Sequence, residues 1–155
     1  MPELIRIQSV VQTHKILLDT SFAMHAGFAR FTRAFDYAFL RNPIRIPAIV
    51  LWELRKLCWD SRRNFAASNA LKQISRLVRS RRAEFRFEHC DRFQDLVILR
   101  VTLQHQLSSN IAVLTNDDNL MLDLRAIWHS RSVQTHRKLR VLQFLCSSNR
   151  VGVFD

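Results

Sequence analysis

The sequence predicts an α/β fold in which a central parallel sheet is covered by helices on both faces. Three observations support this fold class: short apolar runs recur along the chain, amphipathic segments with helical spacing separate them, and there are only two Gly and three Pro. Short apolar runs are typical of strands buried on both faces, and a repeated strand–helix–strand order implies parallel strands joined by right-handed crossovers. At 155 residues, the chain is expected to form one domain spanning 1–155.

The first predicted strand is residues 14–18, a short apolar run that stops at Asp19. A helix capped by Thr20 or Ser21 should follow and end near Arg41, before an Asn-Pro break. Its apolar stripe is a series of phenylalanines: Phe22, Phe28, Phe31, Phe35 and Phe39.

The middle of the chain predicts a second strand at 44–46, and Pro47 suits the first turn of the helix after it. A further helix is expected over about 63–79, a half-exposed strand at 84–88 and another helix over about 91–107. The residues expected to face the core in this region are Val50, Leu51, Trp52, Leu54, Leu57, Trp59, Phe65, Leu71, Ile74 and Val78.

The last predicted elements are a buried strand at 111–114 and a helix from about Asp118 to Trp128. The tail after Trp128 contains two apolar runs, RVLQFL and VGVF. Each of these runs is compatible with a strand, and the first is also compatible with a helix.

A net charge of +11 favours a polyanionic partner, and nucleic acid is the usual one. Arginine outnumbers lysine, and guanidinium groups both grip phosphate and stack on bases, which suits RNA. The alternative is an ordinary solvated face. The predicted phosphate contacts are Arg62, Arg63, Arg76, Arg79, Arg81 and Arg82.

The chain has three cysteines without a CxxC spacing, which argues against a disulfide framework and against a structural zinc site. A reducing, cytoplasmic compartment is therefore expected. No window approaches about 18 uninterrupted apolar residues, so no transmembrane helix is expected. The N-terminus also lacks the long apolar run of a secretory signal.

Four acidic residues are predicted to meet at one edge of the sheet. Asp19 and Asp117 directly follow buried strands, whereas Glu53 and Asp95 lie near the starts of helices that follow strands. Clustered carboxylates repel one another and raise each other's pKa unless a cation neutralises them. Oxygen ligands favour Mg²⁺ or Mn²⁺, and such ions can activate water to attack a phosphodiester.

Each acid also has a structural alternative. Asp19 could only cap the helix after it, and Glu53 could pair with a basic neighbour on its helix. Asp91 competes with Asp95 as the third acid but suits an N-cap better. Asp118, beside the last acid, could assist through a metal-bound water or could only cap its helix.

The segments KILLDTS, IPAIVLWELRKL, FQDLVILRVTLQ and VLTNDDNLMLDL resemble the PIN-domain nucleases over about 14–127. The resemblance implies a three-layer α/β/α sandwich and metal-dependent hydrolysis of RNA that leaves a 5′-phosphate. The positions that match the family's acidic residues are Asp19, Glu53, Asp95 and Asp117, with Ser21, Thr115 and Asn116 beside them.

The resulting functional hypothesis is an endoribonuclease, either of the toxin type held in check by an inhibitory antitoxin-like protein or without such a partner. A homodimer is compatible with this hypothesis. The alternative is a catalytically inactive PIN-like module that binds RNA or protein. A haloacid-dehalogenase-type phosphatase is disfavoured because its chemistry needs a second Asp two residues after Asp19, where this chain has Ser21.

Overall fold

The computed structural model describes residues 2–86, 109–131, 138–145 and 148–155. The predicted helix over 91–107 therefore lies outside the described residues, as does the end of the predicted strand at 84–88. The described elements are, in chain order, α1 Pro2–Thr13, β1 Lys15–Leu18, α2 Thr20–Ala23, α3 Phe28–Ala34, α4 Asp36–Arg41, β2 Ile44–Pro47, α5 Ala48–Leu57, α6 Asn64–Arg79, β3 Ala83–Arg86, β4 Ile111–Leu114, α7 Asp118–Arg131, β5 Leu139–Phe144 and β6 Val151–Phe154.

Within the described residues the strands form one six-stranded sheet in the order β3-β2-β1-β4-β5-β6. The first five strands are parallel to their neighbours, which confirms the α/β class and is consistent with a three-layer sandwich. Both apolar runs of the tail are strands. The central strands are parallel as predicted, whereas β6, which comes from the tail, is antiparallel to β5. The reason is that the connection is too short for a crossover, since the Leu145 amide already donates to the Arg150 carbonyl at 2.8 Å.

The single helix predicted from Thr20 to Arg41 is in fact three short helices, α2 to α4. Its N-cap is Asp19, rather than Thr20 or Ser21. Gly27 lies at the first break, where a Cβ atom would approach Phe144 Cε1 to 2.7 Å. The chain therefore bends at a residue without a side chain because the β5 end packs against it.

The predicted phenylalanine stripe is confirmed as core, since all five rings are buried. Phe22 packs edge-on against Phe28 and Phe31 and stacks on Phe144 with ring centroids 4.5 Å apart. These contacts join the helices after β1 to the end of β5, and they fix the segment that begins at Asp19.

Three large aromatic side chains predicted to lie in the core are instead on the surface. Trp52 is 52% exposed, Trp59 is 91% exposed and Phe65 is 78% exposed. The residues of α6 that are buried are Ala67, Ala70, Ile74 and Leu77. Phe65 precedes this stripe by two positions, which places it about 200° around the helix from Ala67.

Helix α1 was not predicted, although it has an apolar stripe at Ile7, Val10 and Val11. It packs on α4 and on the edge strand β6. The side-chain amide of Asn42 donates to the carbonyls of Val11 and His14 at 2.9 and 2.6 Å, which ties the end of α1 to the start of β2. The helix thus covers the antiparallel edge of the core.

Among the described residues, no helix has the length and apolar character needed to cross a membrane. Cys58 is a free thiol, and Cys90 and Cys146 lie outside the described residues.

Candidate active site

The order in which the chain adds strands to the sheet reverses between β1 and β4. It passes from β1 outward to β2 and β3, and from β4 it passes outward on the other side to β5 and β6. β1 and β4 are in register, with Leu18 beside Leu114, so Asp19 and Thr115 leave the sheet side by side. In open α/β sheets, ligands bind in the crevice outside the carboxyl ends of the strands at such a switch point.

Asp19 is the charged residue at the centre of this edge, and it is only 3% exposed. Its Oδ2 atom accepts hydrogen bonds from the Ser21 hydroxyl at 2.5 Å and from the Thr115 hydroxyl at 2.8 Å. The Ser21 amide lies 3.4 Å from the same oxygen. Burial raises the pKa of the Asp19 carboxyl, and the hydrogen bonds from Ser21 and Thr115 oppose that rise only in part.

A hydrogen-bonded network surrounds the Asp19 carboxylate and joins the ends of three strands. The Ser21 hydroxyl accepts from the Asn116 amide at 2.8 Å, and the Thr115 hydroxyl accepts from the Asp117 amide at 3.0 Å. The Asn116 side-chain oxygen accepts from the Phe144 amide at 2.9 Å, which fixes the end of β5. The structure thus brings Ser21, Thr115 and Asn116 together around Asp19.

Glu53 reaches this edge from α5, which starts directly after β2. The Thr20 hydroxyl donates to Glu53 Oε2 at 3.3 Å, so this carboxylate lies against the residue that follows Asp19. Glu53 is the sixth residue of α5, rather than lying in the first turn. Two of the predicted acids are therefore linked through one buried threonine.

Asp117 and Asp118 have different surroundings. Asp117 Oδ1 accepts from the amides of Asn119 and Leu120 at 2.9 and 3.2 Å, so Asp117 caps the start of α7. Asp118 Oδ1 accepts from the Gln143 side chain at 2.7 Å and is exposed. Asp117 therefore caps α7, which was the structural alternative given for Asp118. Asp117 also lies at its predicted position, after the carboxyl end of β4.

Asp95 and its competitor Asp91 lie outside the described residues. In the parts of the chain that the structure describes, no group of three or more His, Cys, Asp or Glu residues is close enough to hold a metal ion. The described site consists of the buried Asp19 carboxylate, Asp117 on the adjacent strand end, and Glu53 at Thr20.

The predicted basic stretch does not form a single patch. Helix α6 has 16 residues and is about 24 Å long, and it separates the basic residues before it from those after it. Arg82 donates through both Nε and a terminal nitrogen to the Asp36 carboxylate, whose pKa this contact lowers. The residues of the set that are exposed at the surface are Arg62, Arg63, Arg76, Arg79 and Arg81.

No protein-family model matches this chain, and a comparison with curated proteins gives no match either.

Phe65 is predicted to lie in the core, but it lies on an exposed face of α6 that also carries Lys72 and Arg76. The signal that could have identified it is helical phase, because Phe65 does not share the spacing of Ala67, Ile74 and Leu77.

Proposed function

We propose that this protein is a metal-dependent endoribonuclease of the PIN type, which hydrolyses RNA phosphodiester bonds at the carboxyl edge of its sheet. The observation that carries the proposal is the buried Asp19 carboxylate at the switch point between β1 and β4. Asp117 and Glu53 are assigned to the same site because the Asp117 amide donates to the Thr115 hydroxyl, and Glu53 accepts from the hydroxyl of Thr20, the residue after Asp19. Asp95 is assigned as the fourth acid from the sequence alone.

A purely structural role accounts poorly for Asp19. The helix that it caps has only four residues, so capping stabilises little regular structure. A cap would also satisfy its hydrogen bonds at the surface, where the carboxylate keeps its hydration, whereas Asp19 is buried. A buried carboxylate at the switch point, oriented by the Ser21 and Thr115 hydroxyls, is suited to serve as an oxygen ligand for a cation.

The donors fit a hard divalent cation such as Mg²⁺ or Mn²⁺. Mg²⁺ is usually bound through one or two carboxylates and keeps several waters, so it does not require a preformed cage of protein ligands. When bound, such an ion supplies an activated water and neutralises the charge that develops on the phosphodiester. The hydroxyls of Ser21 and Thr115 would fix the orientation of Asp19, and the Asp117 side chain is held by the first turn of α7.

The first prediction is metal-dependent cleavage. Purified protein should cut labelled single-stranded or structured RNA in the presence of Mg²⁺ or Mn²⁺, and excess EDTA should stop the reaction. The product ends should carry 5′-phosphates. Gel electrophoresis of end-labelled RNA measures both the rate and the end chemistry.

Two outcomes of this assay would count against the proposal. Cutting that persists in EDTA would point to a metal-independent ribonuclease and would contradict the assigned role of the acids. RNA binding without cutting under any divalent ion would favour the inactive RNA-binding module instead. The antitoxin-like inhibitor and the homodimer remain predictions, which co-expression and sedimentation velocity would test.

A further inference from the structure

A groove of about 380 Å³ runs between α6 and the turn that joins α2 to α3. Seven residues of α6 line it, and the four exposed ones, Phe65, Asn69, Lys72 and Arg76, follow at spacings of four, three and four positions along one face of the helix. The opposite wall begins at Met24 and His25, directly after α2. The other α6 residues that line the groove are Ala66, Ala70 and Gln73, which carry no charge.

Phe65 differs from the other phenylalanines of this region. The rings of the stripe after β1 are buried, whereas Phe65 is 78% exposed at the amino-terminal end of α6. A flat apolar ring in this position offers a face on which another planar group can stack. Its exposure shows that Phe65 is not a core residue and leaves the face of its ring accessible.

The charge of the groove indicates the chemistry of the occupant. Lys72 and Arg76 lie about 10 and 16 Å along the helix from Phe65, by the rise of an α-helix. Among the described residues, none of those that line the groove is acidic. A planar stacking surface followed by two cations is complementary to a nucleobase followed by its phosphate backbone.

The groove also lies next to the proposed active site. Its wall at Met24 is the C-cap of α2, and the N-cap of the same helix is Asp19. A helix of four residues is about 6 Å long, so a strand held in the groove passes within a short distance of the carboxyl edge. The net charge of +11 favours the same kind of polymer.

We propose that this groove binds an unpaired segment of the RNA substrate, with one base stacked on Phe65 and the neighbouring phosphates at Lys72 and Arg76. The identity of the polymer rests on the ribonuclease function proposed above. The new element is the place of contact on α6, where an unpaired base can stack on Phe65, whereas a duplex keeps its base faces stacked on one another.

The test measures binding, in EDTA so that the RNA stays intact, by fluorescence anisotropy of a labelled single-stranded RNA and a hairpin duplex. Phe65→Ala should weaken binding of the single strand by about 5-fold to 100-fold, the range expected for losing one stacked base. Phe65→Trp should bind as tightly as wild type. Lys72→Gln with Arg76→Gln should lower the slope of log affinity against log salt by about 1.4, or about 0.7 for each lost phosphate contact.

Tyr37→Ala is the matched control. Tyr37 is also an exposed ring, at 62%, and it lies 4.8 Å from the Arg41 guanidinium, but α4 ends at the opposite edge of the sheet, where β2 begins. This variant should bind RNA like wild type. Circular dichroism should show that both alanine variants are folded, because both rings are exposed.

An unchanged single-strand affinity in folded Phe65→Ala protein overturns the proposal. The proposal is also overturned if Phe65→Ala binds RNA normally but loses self-association in sedimentation velocity. That result would make the groove a protein interface. Failure of the nuclease proposal differs from failure of the groove proposal. The first would appear as absent cleavage by wild type, whereas this test measures RNA binding alone.

Discussion

Asp19→Asn should reduce metal-dependent RNA cleavage by at least about 100-fold, equivalent to about 2.7 kcal/mol of activation free energy. The substitution keeps the size of the side chain and its ability to accept from Ser21 and Thr115, but it removes the buried negative charge. A neutral amide is a poorer ligand for Mg²⁺ or Mn²⁺ than a carboxylate. RNA binding should persist, because it depends on basic residues. Single-turnover cleavage and anisotropy, measured on the same RNA, separate the two effects.

The adjacent acids after β4 provide an internal comparison. Asp117→Asn should also lose most activity, whereas Asp118→Asn should keep much of it, because Asp118 is exposed and bonded to Gln143. Asn is as good an N-cap as Asp, so the first variant should preserve the start of α7. Asp19→Asn protein that cuts like wild type would show that the reaction occurs elsewhere.

The second large effect concerns stability and metal. Without metal, Asp19→Asn should be at least as stable as wild type, because burial disfavours the Asp19 anion. The folded-state pKa is raised, so the ionised carboxylate lowers the stability of wild type as pH rises through that pKa. The stability advantage of the variant should therefore be present at neutral pH and should narrow as pH falls, because protonation makes the Asp19 side chain neutral as well.

Added metal should make wild type more stable than Asp19→Asn. An ion that binds only the folded state adds about 2.7 kcal/mol when its free concentration is 100 times the dissociation constant. For a domain of this size, that gain corresponds to a rise in Tm of about 5–10 °C. Melting curves in EDTA and across a Mn²⁺ titration measure both effects. A wild type with no metal-dependent shift, together with a clearly destabilised variant in EDTA, would make Asp19 a structural cap.

The strands at the centre of the sheet were predictable because their sequences alone determine their burial. Residues of β1 and β4 form four-residue strands that are apolar except for Lys15, and each strand is followed at once by polar residues. Such a pattern fits a strand covered on both faces, and parallel strands bring their carboxyl ends to one edge. For this reason the sequence predicts that Asp19 and Asp117 lie at the same edge of the sheet.

The division of the predicted helix after β1 into α2, α3 and α4 was not predictable, because it depends on tertiary packing. Nothing local requires the chain to bend at Gly27, and the need for a small residue arises from Phe144, far along the sequence. The antiparallel direction of β6 is a similar case, because the strand pattern of VGVF does not determine the direction in which the strand pairs with β5. The exposure of Trp52 was predictable in principle, because it lies two positions from both Val50 and Leu54, which are buried.

The sequence predicts which residues lie at which edge of the sheet, but it does not predict the contacts of their side chains. The sequence placed Asp19, Glu53 and Asp117 at the same end of the sheet, but it did not assign the cap of α7 to Asp117 or a hydroxyl partner to Glu53. Those contacts depend on side-chain directions, which strand order does not determine. Asp95 stays a prediction, since it lies outside the described residues.

The central claim is that the carboxyl edge binds a divalent metal through Asp19, and the most direct measurement is Mn²⁺ binding followed by electron paramagnetic resonance of the free ion. We expect saturable binding to wild type, at least about 10-fold weaker binding to Asp19→Asn, and wild-type binding to Asp123→Asn, which removes an exposed acid of α7. Equal Mn²⁺ affinity in wild type and Asp19→Asn, or no saturable binding to wild type, would contradict the claim.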